Sequence, residues 1–135
     1  MPFLLIVIIA IALLFDFLNG LHDSSNIVAT MISSRALSPQ KALALTAAAE
    51  FAGPFLFGVA VATTIGSEVV QPEAGSSGVF VAALSSAIAW NLITWYLGWP
   101  SSTSHALIGG LIGAVTVAAG FDTVEVAGLN KVLVA

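Results

Sequence analysis

Asp16, Asn19, Asp23, Asn26 and Thr30 follow one another at intervals of 3, 4, 3 and 4 residues. An α-helix turns once in about 3.6 residues, so these five side chains share one face. Their carboxylate, amide and hydroxyl oxygens are ligands for a hard cation, and the amides also donate hydrogen bonds to an anion. The stripe begins inside an apolar run that starts at Pro2. A carboxylate facing lipid costs about 2.5–3.5 kcal/mol at the bilayer centre on insertion scales. The stripe must therefore face protein, water or ions. The plainer alternative is a polar helix–helix contact without substrate.

Two further groups invite the same question. Glu50 lies in an apolar run, with Thr46 four residues before it and Gly53-Pro54 just after. It either couples an ion or packs as a neutral, hydrogen-bonded acid, since burial disfavours the charged form. Gly98-Trp99-Pro100-Ser101-Ser102-Thr103-Ser104-His105 is a polar knot with four consecutive hydroxyls just before an expected helix start. Free N–H groups at a helix N-terminus bind anions, and the helix dipole favours negative charge there. One hydroxyl serves as an N-cap; four exceed that need. His105 has a structural role as its simplest reading, whereas His22, beside Asp23, has the better case for handling a proton or cation.

These groups must be positioned by membrane helices. Of the 135 residues, 59% are hydrophobic and 7% charged, against about 25% charged in soluble domains. Lipid is the simplest solvent for such a chain. The net charge of −4 rests on seven acids and three bases, Arg35, Lys41 and Lys131. With no basic patch, nucleic acid is not an expected partner. There is no cysteine, so neither a disulfide nor a thiolate metal site is possible.

Apolar runs cover Pro2 to about Gly20, continuing through Ile32; about Ala42 to Ile65; Val79 to Leu97; and Ala106 to Phe121. The first predicts one long helix or a helix broken near Asn19-Gly20. It lacks a basic leader and a convincing cleavage site, so it is read as a retained span. Gly66 to Gly78 predicts a loop, and Asn130 to Ala135 the opening of another element. Arg35 and Lys41 place the first loop in the cytoplasm and the N-terminus outside. The knot carries no base, which favours a re-entrant hairpin whose tip faces a water-filled cavity. Ala44, Ala48 and Ala52, and Ala106, Gly110, Ala114 and Ala118, form ridges for close helix packing. No internal repeat is evident.

Asn19-Gly20-Leu21-His22-Asp23-Ser24-Ser25-Asn26 resembles the first signature of the inorganic phosphate transporter family. Its bacterial low-affinity branch shows Asn-Gly-Phe-His-Asp-x-x-Asn there. Arg35-Ala36-Leu37-Ser38-Pro39 continues the match, and Pro100 to Gly110 resembles the second signature. Leu21 in place of Phe is a mild departure. The larger one is length, since the second half is missing.

The resemblance implies an all-α integral membrane protein with broken helices and a re-entrant hairpin. Residues 1–135 would be the N-terminal repeat of two inverted repeats. It implies cation-coupled phosphate transport, not enzymatic catalysis, across the cytoplasmic membrane. Asp23, Asn26, Ser102, Thr103 and Ser104 become the candidate phosphate residues, and Asn19, His22, Asp23 and Glu50 the candidate coupling-cation residues. No resident cofactor or metal is expected. The coupling species is left open among sodium, a proton and a metal–phosphate complex. Expected partners are phosphate, the cation, lipid and a second half or subunit, with complete transporters pairing as dimers.

The physics accommodates that mechanism. A carboxylate beside an anion repels it unless a cation or proton lies between, so Asp23 in a phosphate site argues for coupling. The rival readings are a permease for sulfate or another tetrahedral oxyanion, and a membrane subunit that transports nothing. By itself, half a site is not expected to transport.

Overall fold

The computed structural model describes residues 2–57 and 75–125. Among them the chain forms four α-helices and a short 3-10 turn. Helix α1 spans Pro2–Ser33, α2 Pro39–Phe57, α3 Ser77–Leu97 and α4 Thr103–Ala119. The turn is Phe121–Thr123. The element expected at residues 130–135, and most of the expected loop at 66–78, lie outside the described residues.

Helix α1 has 32 residues and rises about 48 Å, well beyond a hydrocarbon core of about 30 Å. It runs without interruption through Asn19-Gly20. Of the two readings of the first run, the structure takes the single long helix, and the broken helices that the resemblance implies are not seen in α1 or over the described length of α2. No proline falls in α1 after Pro2. Ser24 and Ser25 keep their hydroxyls within the ladder, donating to the Leu21 and His22 carbonyls at 3.5 and 2.6 Å. In α2, Pro54 sits inside the helix without ending it. Its missing N–H leaves the Glu50 carbonyl without its usual helical donor.

The end of α1 is a backbone reversal. Arg35 takes φ 59°, its N–H donates to Ile32 O at 3.0 Å, and the Ala36 N–H donates to Met31 O at 3.1 Å. Glycine normally fills that left-handed position. An L-residue there costs about 1–2 kcal/mol, so a base is kept where the backbone favours glycine. Pro39 opens α2, where its fixed φ suits a first helical turn.

Helices α3 and α4 form a hairpin, the most extensive packing in the fold, and α1 lies against α3 and α2. Ser76 caps α3 by accepting from the Val79 N–H at 3.3 Å. The other end of α3 closes on Gly98, at φ 68°. Gly98 N–H donates to Trp95 O at 3.1 Å and Trp99 N–H to Thr94 O at 2.9 Å. This is the 5→2 and 6→1 pair of a Schellman motif, and Pro100 follows it as a stop. Where the hairpin closes, a Cβ on Gly110 would lie 2.7 Å from Ala83 O and collide with Ser86 Oγ. Only glycine allows that approach. Val79, Ala83, Leu111, Val115 and Val124 form the buried cluster. Of the ridge Ala44, Ala48 and Ala52, the first two are exposed and Ala52 is half-buried, so close packing along it is not seen among the described residues.

This core is small for so apolar a chain. Phe3, Phe17, Phe51, Phe55, Tyr96 and Val117 are all exposed. Only 6% of the apolar window of α1 is buried, whereas the core helix of a soluble protein is mostly buried. Helices α1 and α3 are long and apolar enough to cross a membrane. Outward-facing apolar helices of this length belong in lipid or against further membrane helices.

Candidate functional site

Continuity of α1 puts the five-residue stripe on one face. The middle of the stripe, Asn19 and Asp23, is half-buried, and its flanks, Asp16, Asn26 and Thr30, are exposed. Asp23 meets the knot. Thr103 Oγ1 donates to Asp23 Oδ2 at 3.3 Å, joining side chains 80 residues apart. The two polar motifs, read independently in the sequence, therefore converge on one place.

The knot straddles a helix boundary, because α4 starts at Thr103 inside it. Its hydroxyls consequently point in different directions. Thr103 is buried, 4% exposed, and faces Asp23. Ser102 is the N-cap: its Oγ accepts from the His105 N–H at 3.4 Å and lies 2.8 Å from His105 Nδ1. Ser101 Oγ accepts the indole N–H of Trp90, from α3, at 3.0 Å. That bond leaves the Ser101 hydroxyl proton free to donate elsewhere. Ser104 is exposed. Thus one hydroxyl serves the α1 carboxylate, while Ser101 and Ser102 line an open groove along α3 and α4. The groove has a volume of about 1130 Å³, and Trp90 and His105 stand with the two serines at its polar end. An anion there meets hydroxyl donors at the positive end of the α4 dipole.

The cation candidates are not all together. Glu50 is exposed on α2, one turn beyond Thr46, which is buried with Oγ1 unpartnered among the described residues. His22 adjoins Asp23 in the chain but is 5% exposed and lies against α3, lining a small cavity with Asn91. Asn19 Oδ1, His22 Nδ1 and both amide atoms of Asn91 are buried without hydrogen-bond partners among the described residues. Leaving such a group unmet costs about 1–3 kcal/mol.

Sequence reasoning passed over three of these residues as site members. Asn91 is a lone amide in the apolar run Val79 to Leu97, the same signal that singled out Glu50. Ser101 was counted among the hydroxyls but not placed in the site. Trp90 carries no signal, since nothing in a sequence says where an indole N–H points.

Comparison with known proteins finds a family and several sequence relatives. Residues 19–135 match the model of the Phosphate transporter family. A "Probable low-affinity inorganic phosphate transporter" of Rhizobium meliloti is 48% identical over 128 residues, 95% of this chain and 38% of that protein. One of the same description from Bacillus subtilis is 48% identical over 132 residues, 96% of this chain and 39% of that protein. "Low-affinity inorganic phosphate transporter PitA" of Escherichia coli is 37% identical over 139 aligned positions, 96% of this chain and 28% of that protein. The chain thus spans well under half the length of these relatives. No solved structure matches it.

Proposed function

The chain belongs to the phosphate transporter family, and on that premise we propose that it supplies one half of a cation-coupled site for inorganic phosphate. The observation that carries the reading is the hydrogen bond from Thr103 to Asp23. It brings an acidic stripe and a hydroxyl-rich helix start together inside an apolar chain.

In this reading phosphate lies at the start of α4. Ser101, Ser102 and Ser104 donate hydroxyl protons to its oxygens, and Asn26 adds an amide donor from α1. Asp23 is the cation's anchor, with Asn19 beside it on the stripe. Glu50 is a further oxygen ligand from α2, and His22 supports Asp23 from the α3 side. Cation and anion neutralise each other, so the loaded site crosses the hydrophobic barrier at lower cost than either ion alone. Thr103 orients the Asp23 carboxylate by donating its hydroxyl proton to it. Phosphate is favoured over sulfate because at neutral pH it still carries a proton to share with a carboxylate.

The tip at residues 98–105 lies within the membrane rather than in the cytoplasm. About 18 Å of helix rise separates Asp23 from Arg35 at about 1.5 Å per residue. With Arg35 and Lys41 at the cytoplasmic face, Asp23 sits more than halfway into a core of about 30 Å. Its hydroxyl partner is there too. The remaining acids of the site and the exposed apolar faces are completed by a second, inverted half, in a multi-pass protein of the cytoplasmic membrane whose N-terminus is outside.

The experiment is a segment exchange. The matching segment of the Bacillus subtilis relative is replaced by this chain in cells lacking their own phosphate permeases. Radiolabelled phosphate uptake is then measured against sulfate competition. Restored uptake that excess phosphate blocks and sulfate does not is the expected outcome. Uptake blocked equally by sulfate transfers the site to a general oxyanion permease, and absence of uptake from a correctly inserted chimera refutes the reading.

A further inference from the structure

Two serines stand side by side at the polar end of the α3–α4 groove, and each is bonded to a ring nitrogen. Ser101 Oγ accepts the Trp90 indole N–H at 3.0 Å. Ser102 Oγ lies 2.8 Å from His105 Nδ1 and accepts the His105 backbone N–H at 3.4 Å. All four residues line the groove. The two ring nitrogens differ in one respect. An indole N–H only donates, whereas an imidazole nitrogen donates or accepts according to where the ring carries its proton.

That difference decides which way each serine proton points. A hydroxyl has one proton to give and two lone pairs to receive with. Ser101 receives from Trp90, so its proton stays available to the groove. With Nδ1 of His105 bare, Ser102 gives its proton to the ring and turns only a lone pair outward, which repels an anion. With a proton on Nδ1, Ser102 receives from the ring and from the backbone N–H together. Both lone pairs are then used, and the hydroxyl proton has to point away from His105. Ser102 and His105 are exposed, so that proton is open to a ligand in the groove.

We propose that His105 is the positioning residue for Ser102: with a proton on Nδ1, it makes Ser102 a donor to an oxyanion in the groove. This role rests on the phosphate site proposed above and gives one of its hydroxyls two states. The neutral ring protonated at Nδ1 and the imidazolium act alike on Ser102. Neither α3 nor α4 carries an aspartate, glutamate, lysine or arginine. Tyr96, the other titratable side chain of the hairpin, does not line the groove, and Asp23 of α1 meets the knot through Thr103. An oxyanion held by the Ser102 hydroxyl favours the ring form with a proton on Nδ1, and by linkage that form favours the oxyanion.

The transport chimera in lipid nanodiscs, with histidine labelled by nitrogen-15, tests this by NMR. His105→Asn identifies the His105 signals by their loss. With saturating inorganic phosphate, Nδ1 of His105 is expected to show the shift of a protonated ring nitrogen. A bare Nδ1 in the phosphate-loaded chimera overturns the proposal and leaves the phosphate site standing, whereas a chimera that neither binds nor takes up phosphate removes both. In uptake, His105→Phe is expected to raise the half-saturating phosphate concentration several-fold with the maximal rate little changed. His105→Asn, which keeps a side-chain N–H near the position of Nδ1, recovers part of the loss. In a Ser102→Ala background, His105→Phe adds no further loss, because the hydroxyl it positions is gone. Additive losses, or an unchanged half-saturating concentration in His105→Phe, overturn the proposal. The NMR measurement, made on the unsubstituted histidine, decides the matter if the phenylalanine variant fails to fold.

Discussion

The α3–α4 hairpin and the face of α1 that leans on it are held by different physics. The hairpin is steric. Gly110 admits Ala83 at close range, both helices are capped, and a Schellman turn fixes the corner. The α1 face is polar and sparsely tied. One hydroxyl–carboxylate bond and one cavity of unpartnered polar atoms are the features that mark its contact with the hairpin. In the proposed site the hairpin is the side fixed by close packing and caps, and the stripe on α1 is the side held by few polar bonds. In a transporter the ions have to sit where contacts are few and polar, because those are the contacts a bound ion can replace.

That contrast can be broken at either side. The largest effect is expected from Asp23→Asn in the transport chimera. Insertion is preserved or eased, because a charge has been removed from an apolar helix, while coupled uptake falls to background. Normal uptake would leave the stripe as a packing feature.

On the hairpin side, Gly110→Ala forces a methyl group into Ala83 O and Ser86 Oγ. Overpacking of this kind costs about 1–3 kcal/mol, read as a lowered melting temperature in detergent. Gly113→Ala is the matched control, because a Cβ there meets nothing within 4 Å. Equal losses at the two positions would show that the close approach is not what holds the hairpin.

Thr103→Val separates the two regions directly. It keeps the shape of a buried residue but removes the donor to Asp23, a long hydrogen bond of 3.3 Å worth about 1.5 kcal/mol. Uptake should weaken several-fold, and Thr103→Ser should recover most of it. If serine does no better than valine, the hydroxyl is not the operative group. A smaller effect is expected of Ser102→Ala, which removes the cap of α4 at a cost of about 0.5–2 kcal/mol. Its signature is a modest drop in melting temperature together with a raised half-saturating phosphate concentration.

Much of this was legible in the residues. The stripe spacing required α1, and the apolar runs located α3 and α4 closely. The hydroxyl run marked a helix start, although α4 begins inside it because Ser102, with its side chain free to cap, outcompetes the later hydroxyls for that role. Of the two readings left open at Asn19-Gly20, the unbroken helix holds, because a single glycine without proline lowers helix stability by only about 1 kcal/mol. The meeting of Asp23 with Thr103 was foreshadowed by two signatures of one family, not by any local pattern. Asn91 was legible as a lone amide in an apolar run, but only packing shows that it faces His22 across α1 and α3. Trp90 escaped because hydrogen-bond direction is a property of packing.

The central claim is that the acidic stripe and the hydroxyl tip form one site, and a cysteine pair tests it most directly. The chain contains no cysteine, so Asp23→Cys with Thr103→Cys introduces the only two thiols. In membranes under mild oxidant this pair should form an intramolecular disulfide efficiently, whereas Asp16→Cys with Thr103→Cys, about two helical turns away, should not. Efficient cross-linking at 16 and none at 23 would place the tip elsewhere along α1 and contradict the account.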